Sequence, residues 1–275
     1  MPPAASPITR TFSASSPGSR SCSCCVRGYD APIRELEPRP YRVVLFDAGG
    51  TLLRPHPSQE EVTARVLTEA GIDVAGDPLV EAIRAANARL FGGHGRDAQR
   101  WASESAIREV WLEYYELVLA RIGVPWDRAL GGRIYDAFGV AESWALFEDV
   151  LPTLAALRTR GLRLGIVSDW GTALVPIVHA MGLSAHFGVA VVSAYAGVAK
   201  PDRDVFAYAL ARIGATAEET LYVGDVYLAD VLGARGAGIE PILIDRAGRF
   251  GFVDCVVVRS LVEIPAHIEA ALSPS

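Results

Sequence analysis

Residues 41–53 read YRVVLFDAGGTLL, an apolar run from Val43 to Phe46 that meets Asp47 and then breaks at Gly49-Gly50. Four consecutive apolar residues fit a strand covered on both faces, and the glycine pair fits a turn at its end. With the first strand taken as Arg42–Asp47, five runs of the same kind follow: Arg163–Ser168, Val189–Ser193, Thr220–Gly224, Ile242–Asp245 and Cys255–Val258. Helical patterns separate them at Pro152–Arg160, Thr172–Met181, Asp204–Ile213, Leu228–Ala237 and Leu261–Leu272. Strand followed by helix, repeated, predicts a parallel α/β sheet with right-handed crossovers. The expected fold is therefore a Rossmann-like three-layer core.

One interval breaks that rhythm. More than a hundred residues separate the first two strands, and apolar spacing near 3.6 predicts helices at Glu60–Ala70, Pro78–Leu90, Ser103–Ile122 and Asp127–Phe138. Ile107, Val110, Trp111, Tyr114 and Val118 make one stripe, the expected core of a small bundle, and packing is the expected role of Trp101 and Tyr115. The interval reads as an all-helical cap inserted after the first strand. The expected organisation is a disordered leader over 1–38, a catalytic core over 39–54 and 149–275, and a helical cap over 55–148.

Composition narrows the function classes. Apolar residues make up 51% of the 275 and charged residues 21%, which excludes global disorder. The formal charge is −6, against the basic balance of a nucleic-acid-binding protein. No apolar stretch reaches the roughly 18 residues a bilayer-spanning helix needs, so no membrane association is expected. Residues 1–29 carry three arginines and no acid, and without an apolar segment they read as a tail rather than a secretory signal. Cys22, Cys24 and Cys25 lie in that tail and Cys255 in the last apolar run. That layout suggests no disulfide framework and fits a reducing, cytoplasmic location. Of 26 basic residues only one, Lys200, is a lysine.

In open parallel sheets ligands bind beyond the carboxyl ends of the strands. Those ends carry Asp47, Ser168-Asp169 and Gly224-Asp225, and Lys200-Pro201 follows the third strand. Each alone has an ordinary explanation as a cap or turn residue. In this order, all at strand ends, they predict a phosphoryl-transfer site. Asp47, Asp225 and Asp230 crowd carboxylates whose repulsion a divalent cation relieves, and oxygen-only ligands favour Mg²⁺. Lys200 supplies a point charge for Asp47 and a bound phosphate, and the Ser168 hydroxyl a hydrogen bond to a phosphoryl oxygen. With Asp47 as nucleophile the reaction passes through an aspartyl phosphate. Asp169 is grouped with Ser168 and Lys200 on the substrate side.

The stretches FDAGGTLL (46–53), IVSDW (166–170), AKPD (199–202) and GDVYLADVLGARGAG (224–238) resemble those of the haloacid dehalogenase superfamily, in the branch with a helical cap after the first strand. The resemblance implies Asp47 as nucleophile and metal ligand, the Gly49 carbonyl as a second ligand and Asp225 as a third. It also implies Asp230 as support for the metal site, with Ser168 and Lys200 on the transferred phosphate. One position departs from the pattern. Phosphatases of that superfamily carry an acid/base aspartate two residues after the nucleophile, and Gly49 stands there. Loss of such a group commonly costs on the order of 10² to 10⁴ in rate. His56 is a candidate surrogate.

Three functions stay open at this point. The first is a phosphatase of small phosphorylated metabolites, suited to good leaving groups. The second is a 2-haloacid dehalogenase, which by resemblance needs neither metal nor second aspartate, although Asp225 and Asp230 then lack a purpose. The third is a binding protein with vestigial activity. A phosphonatase is disfavoured, because the cap holds no lysine for a Schiff base. The sequence leaves the substrate and the oligomeric state undetermined.

Overall fold

The structure is a computed structural model describing residues 41–74, 76–91 and 97–271. The expected leader and Cys22, Cys24 and Cys25 lie outside these residues.

The chain enters through β1 (Val43–Phe46) and β2 (Leu53–Pro55), then runs through four helices, α1 (Gln59–Glu69), α2 (Asp77–Phe91), α3 (Glu104–Arg121) and α4 (Arg128–Ala137). It returns through β3 (Trp144–Leu146), α5 (Val150–Thr159), β4 (Arg163–Ser168), α6 (Leu174–Ala180), β5 (Val189–Val192) and the short α7 (Ser193–Ala196). Next come α8 (Arg203–Ile213), β6 (Thr220–Gly224), a π-helical turn (Tyr227–Val231), α9 (Leu232–Gly236), β7 (Glu240–Ile244), β8 (Val256–Val258) and α10 (Ile264–Ala270). All six expected strands end within one residue of their observed ends, and Asp47 stands one residue beyond β1.

Six strands form one parallel sheet in the order β5-β4-β1-β6-β7-β8, so β1 is paired on both sides. Strand alternation sorts the core. Val44, Phe46, Ile166 and Val223 pack with Leu154, Ile177 and Ile264 on one face. Val43, Leu45, Val167 and Tyr222 pack with Val205, Phe206, Ala209 and Ala234 on the other. Helices therefore cover both faces, which is why the strands read as unbroken apolar runs. Asp47 continues the parity of Val43 and Leu45, toward the face of Tyr222, α8 and α9.

Helices α1 to α4 bury their own cluster, which includes Leu67, Leu79, Ile83, Tyr114, Val118, Leu119 and Ile134. Ser58, Ser103 and Asp127 cap α1, α3 and α4 through their side chains. Tyr115 is buried, and Trp101 packs edge-on against Trp111, so both serve packing as expected. The interval is not helical throughout. Leu53, Arg54 and Pro55 pair with Leu146, Ala145 and Trp144 in an antiparallel ribbon where the chain leaves and re-enters the sheet. Three-residue strands so far apart in sequence show no local periodicity, so the pattern missed them. Among the described residues no helix is long and apolar enough to cross a membrane.

Asp149 ties this junction to the far edge of the core. It accepts two hydrogen bonds from Arg246, at 2.8 and 3.0 Å, and one each from Ser260 Oγ (2.6 Å) and the Leu261 N–H (2.8 Å). Burial pushes its carboxyl up, but the Arg246, Ser260 and Leu261 bonds outweigh that and hold it below the ordinary value. Asp149→Ala should lower unfolding free energy in urea at pH 7 by about 2 kcal/mol. A depressed carboxyl stabilises above its unfolded pKa and loses that contribution as pH falls through its folded value. The difference between wild type and variant should therefore shrink below about pH 4.

Candidate active site

The carboxyl ends of β1, β4 and β6 bring Asp47, Ser168 and Asp225 together, and the loop before α8 and the π-helical turn before α9 add Lys200 and Asp230. The Asp47 backbone is pinned to the sheet, its N–H donating to the Val223 carbonyl at 2.9 Å. Lys200 is buried and spends all three ammonium protons: on Asp47 Oδ1 at 2.8 Å, Asp230 Oδ1 at 2.7 Å and the Tyr222 hydroxyl at 3.1 Å. Tyr222 OH also lies 2.9 Å from the Val167 carbonyl and 3.1 Å from Asp230 Oδ1. The Val226 N–H donates to Asp230 Oδ2 at 2.8 Å, so both oxygens of the fully buried Asp230 are engaged.

Burial alone would push the Lys200 ammonium down, but the carboxylates of Asp230, Asp47 and Asp169 outweigh it and hold it protonated. Burial pushes the Asp47 carboxyl up. Lys200 opposes that, Asp230 adds to it, and a Ser168 hydrogen bond pulls down. Asp225 differs from both. Its Oδ1 is buried with no hydrogen-bond partner, and burial with the charges of Asp47 and Asp230 pushes its carboxyl up to about 8. The Arg249 guanidinium lies 3.7 Å from its Oδ2. Asp47, Asp225 and Asp230 each offer an oxygen within 4.8 Å of the others.

Asp169 lies at the same strand end, where its Oδ1 accepts the Lys200 N–H at 3.0 Å and so holds the lysine loop. Gly49 is half-buried in the loop beside Asp47. His56 is exposed, one residue beyond β2, and its charge bears on Glu61 of α1.

Four contributors were not singled out by sequence. Tyr222 reads as one more residue of an apolar strand, yet it receives Lys200. Gly50 reads as turn chemistry. Its φ is 72°, and a Cβ there would lie 2.4 Å from Asp225 Oδ2. Gly50→Ala should destabilise by about 1–2 kcal/mol through the left-handed backbone and displace Asp225, so at least a tenfold loss of activity should accompany a lower melting temperature. Glu104 opens α3 as an ordinary first-turn acid. It accepts the Thr172 N–H at 2.5 Å and sits 3.1 Å from Tyr135 OH, joining α3 to the loop after β4. Trp170 lies over Gly49, its Cζ3 3.1 Å from where a Cβ would stand.

Known proteins resemble this chain in sequence and fold. The family model of haloacid dehalogenase-like hydrolases matches residues 41–238. The zebrafish (Danio rerio) haloacid dehalogenase-like hydrolase domain-containing protein 3 is 32% identical over 245 residues, covering 84% of this chain and 97% of its own. A glyceraldehyde 3-phosphate phosphatase of Methanopyrus kandleri is 29% identical over 214 residues, 74% of this chain and 84% of its own. Among solved structures, the putative hydrolase YfnB of Bacillus subtilis, bound to magnesium, superposes with a TM-score of 0.68 at 22% identity, covering 83% of this chain and 99% of its own. With a matched model spanning most of its length and the strand-end residues gathered as described, the chain belongs to the haloacid dehalogenase-like hydrolase family.

Proposed function

We propose that this hydrolase is a Mg²⁺-dependent phosphatase that acts on a small phosphorylated substrate through Asp47. The observation that carries the reading is the orphaned, buried Asp225 Oδ1 facing Asp47 and Asp230. A buried carboxylate oxygen without a donor is costly, and a carboxyl pushed up to about 8 marks a site short of positive charge. An all-oxygen set of this kind fits Mg²⁺. Asp47 and Asp225 would hold the ion, with the Gly49 carbonyl that the family pattern adds. Asp230, already saturated by Lys200 and Val226, would support the site through Lys200. The bound ion would supply charge neutralisation for the carboxylates and a phosphoryl oxygen.

The chain's own groups then do the rest. Lys200 and Ser168 orient the Asp47 carboxylate and neutralise the incoming phosphoryl group. An Asp47 oxygen attacks phosphorus and the bond to the leaving oxygen breaks, giving the aspartyl phosphate. Water then attacks it, releasing phosphate and restoring the carboxylate. Helices α1–α4 act as a cap that excludes water, held to the core by Glu104 and Thr172. The phosphatase name of the Methanopyrus relative supports the same reaction class. Halide displacement from a 2-haloacid needs no acid at position 49, but the Asp225 carboxylate stands against it.

Phosphate and chloride release separate the readings. The purified protein should release phosphate from p-nitrophenyl phosphate with Mg²⁺, and EDTA should abolish it. Chloride release from 2-chloropropionate, unaffected by EDTA, would replace this reading with dehalogenation.

A further inference from the structure

Position 49 has no side chain and no positive φ, so backbone conformation does not explain the glycine there. What meets it does: Trp170 Cζ3, Cε3 and Cη2 stand 3.1, 3.8 and 3.9 Å from an ideal Cβ. The indole is held from several sides. Its backbone N–H donates to Ser193 Oγ at 3.1 Å, and its carbonyl accepts the Ala194 N–H at 3.3 Å. Its ring packs against Trp144 with centroids 4.6 Å apart at 61°. Trp144 in turn donates Nε1–H to the Phe138 carbonyl at 2.9 Å and packs against the Phe138 ring at 6.0 Å. The aromatic series thus runs from the end of α4, through the ribbon, to the loop beside Asp47. Trp170 is only partly buried.

We propose that Trp170 is the leaving-group platform of the site, and that its substrates are phosphates of planar, weakly basic leaving groups: aryl, enol or aromatic acyl phosphates. The inference rests on the phosphatase reading and deepens it. Residue 49 offers no proton to a leaving oxygen, and a side chain there would press on the indole, whose Cζ3 stands 3.1 Å from the Cβ position. Lys200 commits its three protons to Asp47, Asp230 and Tyr222. A leaving group that departs as a stable anion needs no proton. When Asp47 attacks, the phosphorus–oxygen bond breaks and its electron pair leaves on that oxygen as a phenolate, enolate or carboxylate, which takes any proton from solvent. A planar group of this kind also stacks on an indole, where a glycerol or sugar alcohol gains little.

The test has a turnover arm and a binding arm. With Mg²⁺, kcat/KM for p-nitrophenyl phosphate should exceed that for glycerol phosphate by on the order of 10²-fold or more, the deficit expected where a general acid is missing. In calorimetry, phenylphosphonate should bind about 3- to 10-fold more tightly than methylphosphonate. Trp170→Leu should erase that preference, and Trp170→Phe should keep part of it. Comparable turnover of aryl and alkyl phosphates would overturn the platform while leaving the phosphatase reading intact. So would equal binding of the two phosphonates, or a preference that survives in Trp170→Leu. If no phosphoester turns over, the phosphatase reading fails, and the phosphonate preference and its loss in Trp170→Leu still decide the platform.

Discussion

Asp47→Asn should reduce phosphate release by on the order of 10⁴-fold or more, the scale seen when a covalent nucleophile is removed. Asparagine keeps the shape of the side chain and can still accept the Lys200 ammonium, so the loss belongs to chemistry rather than to folding. Stability should move the other way. Burial and Asp230 raise the Asp47 carboxyl against the pull of Lys200, so its charge is less favourable in the folded chain than in the unfolded one. A raised carboxyl costs stability as pH climbs from its unfolded toward its folded value, and the cost persists above both. The neutral asparagine escapes that cost. In metal-free buffer at pH 7 the variant should melt at or above the wild-type temperature. A clear drop in melting temperature would mean that Asp47 is structural, and its inactivity would then say nothing about nucleophilic attack.

Lys200→Met has the opposite signature. Lys200 Nζ lies 2.8 Å from Asp47 and 2.7 Å from Asp230, with the side chains nearly inaccessible. Removing the ammonium leaves two buried carboxylates without their shared counter-charge, which costs about 3–5 kcal/mol in comparable buried pairs. Without the cation the Asp47 carboxyl rises further, so its protonation relieves part of the penalty. The deficit in urea unfolding should be large at pH 8 and shrink toward pH 5. Lys200→Arg keeps the charge but replaces a compact donor by a planar fork in a site shaped to three oxygens around one nitrogen. At least a tenfold loss of activity is expected. Wild-type activity in Lys200→Arg would remove Lys200 from the site.

Much of this was legible in the chain because parallel strands buried on both faces are written as unbroken apolar runs. Once Val43–Phe46 and Thr220–Gly224 read as strands, Asp47 and Asp225 fall at their carboxyl ends without further assumption. Lys200 stood out as the single lysine of an arginine-rich chain. The residues that escaped notice did so for physical reasons. Tyr222 sits inside a strand, where an aromatic is ordinary, and its hydroxyl matters only because strand parity turns it toward Lys200. Gly49 and Gly50 look alike in sequence. Only Gly50 adopts a positive φ, whereas Gly49 makes room for Trp170, a partner more than a hundred residues away. The β2–β3 ribbon and the Glu104–Thr172 contact likewise join distant segments with no periodicity to announce them.

Acid-quenched single turnover tests the central claim most directly. Enzyme in excess over an aryl phosphate, with Mg²⁺, is quenched in acid within the first turnover and digested for mass spectrometry. The account predicts a peptide containing Asp47 that carries one added phosphoryl group, absent in Asp47→Asn. Wild-type turnover with no such adduct, or an adduct on another residue, would contradict it.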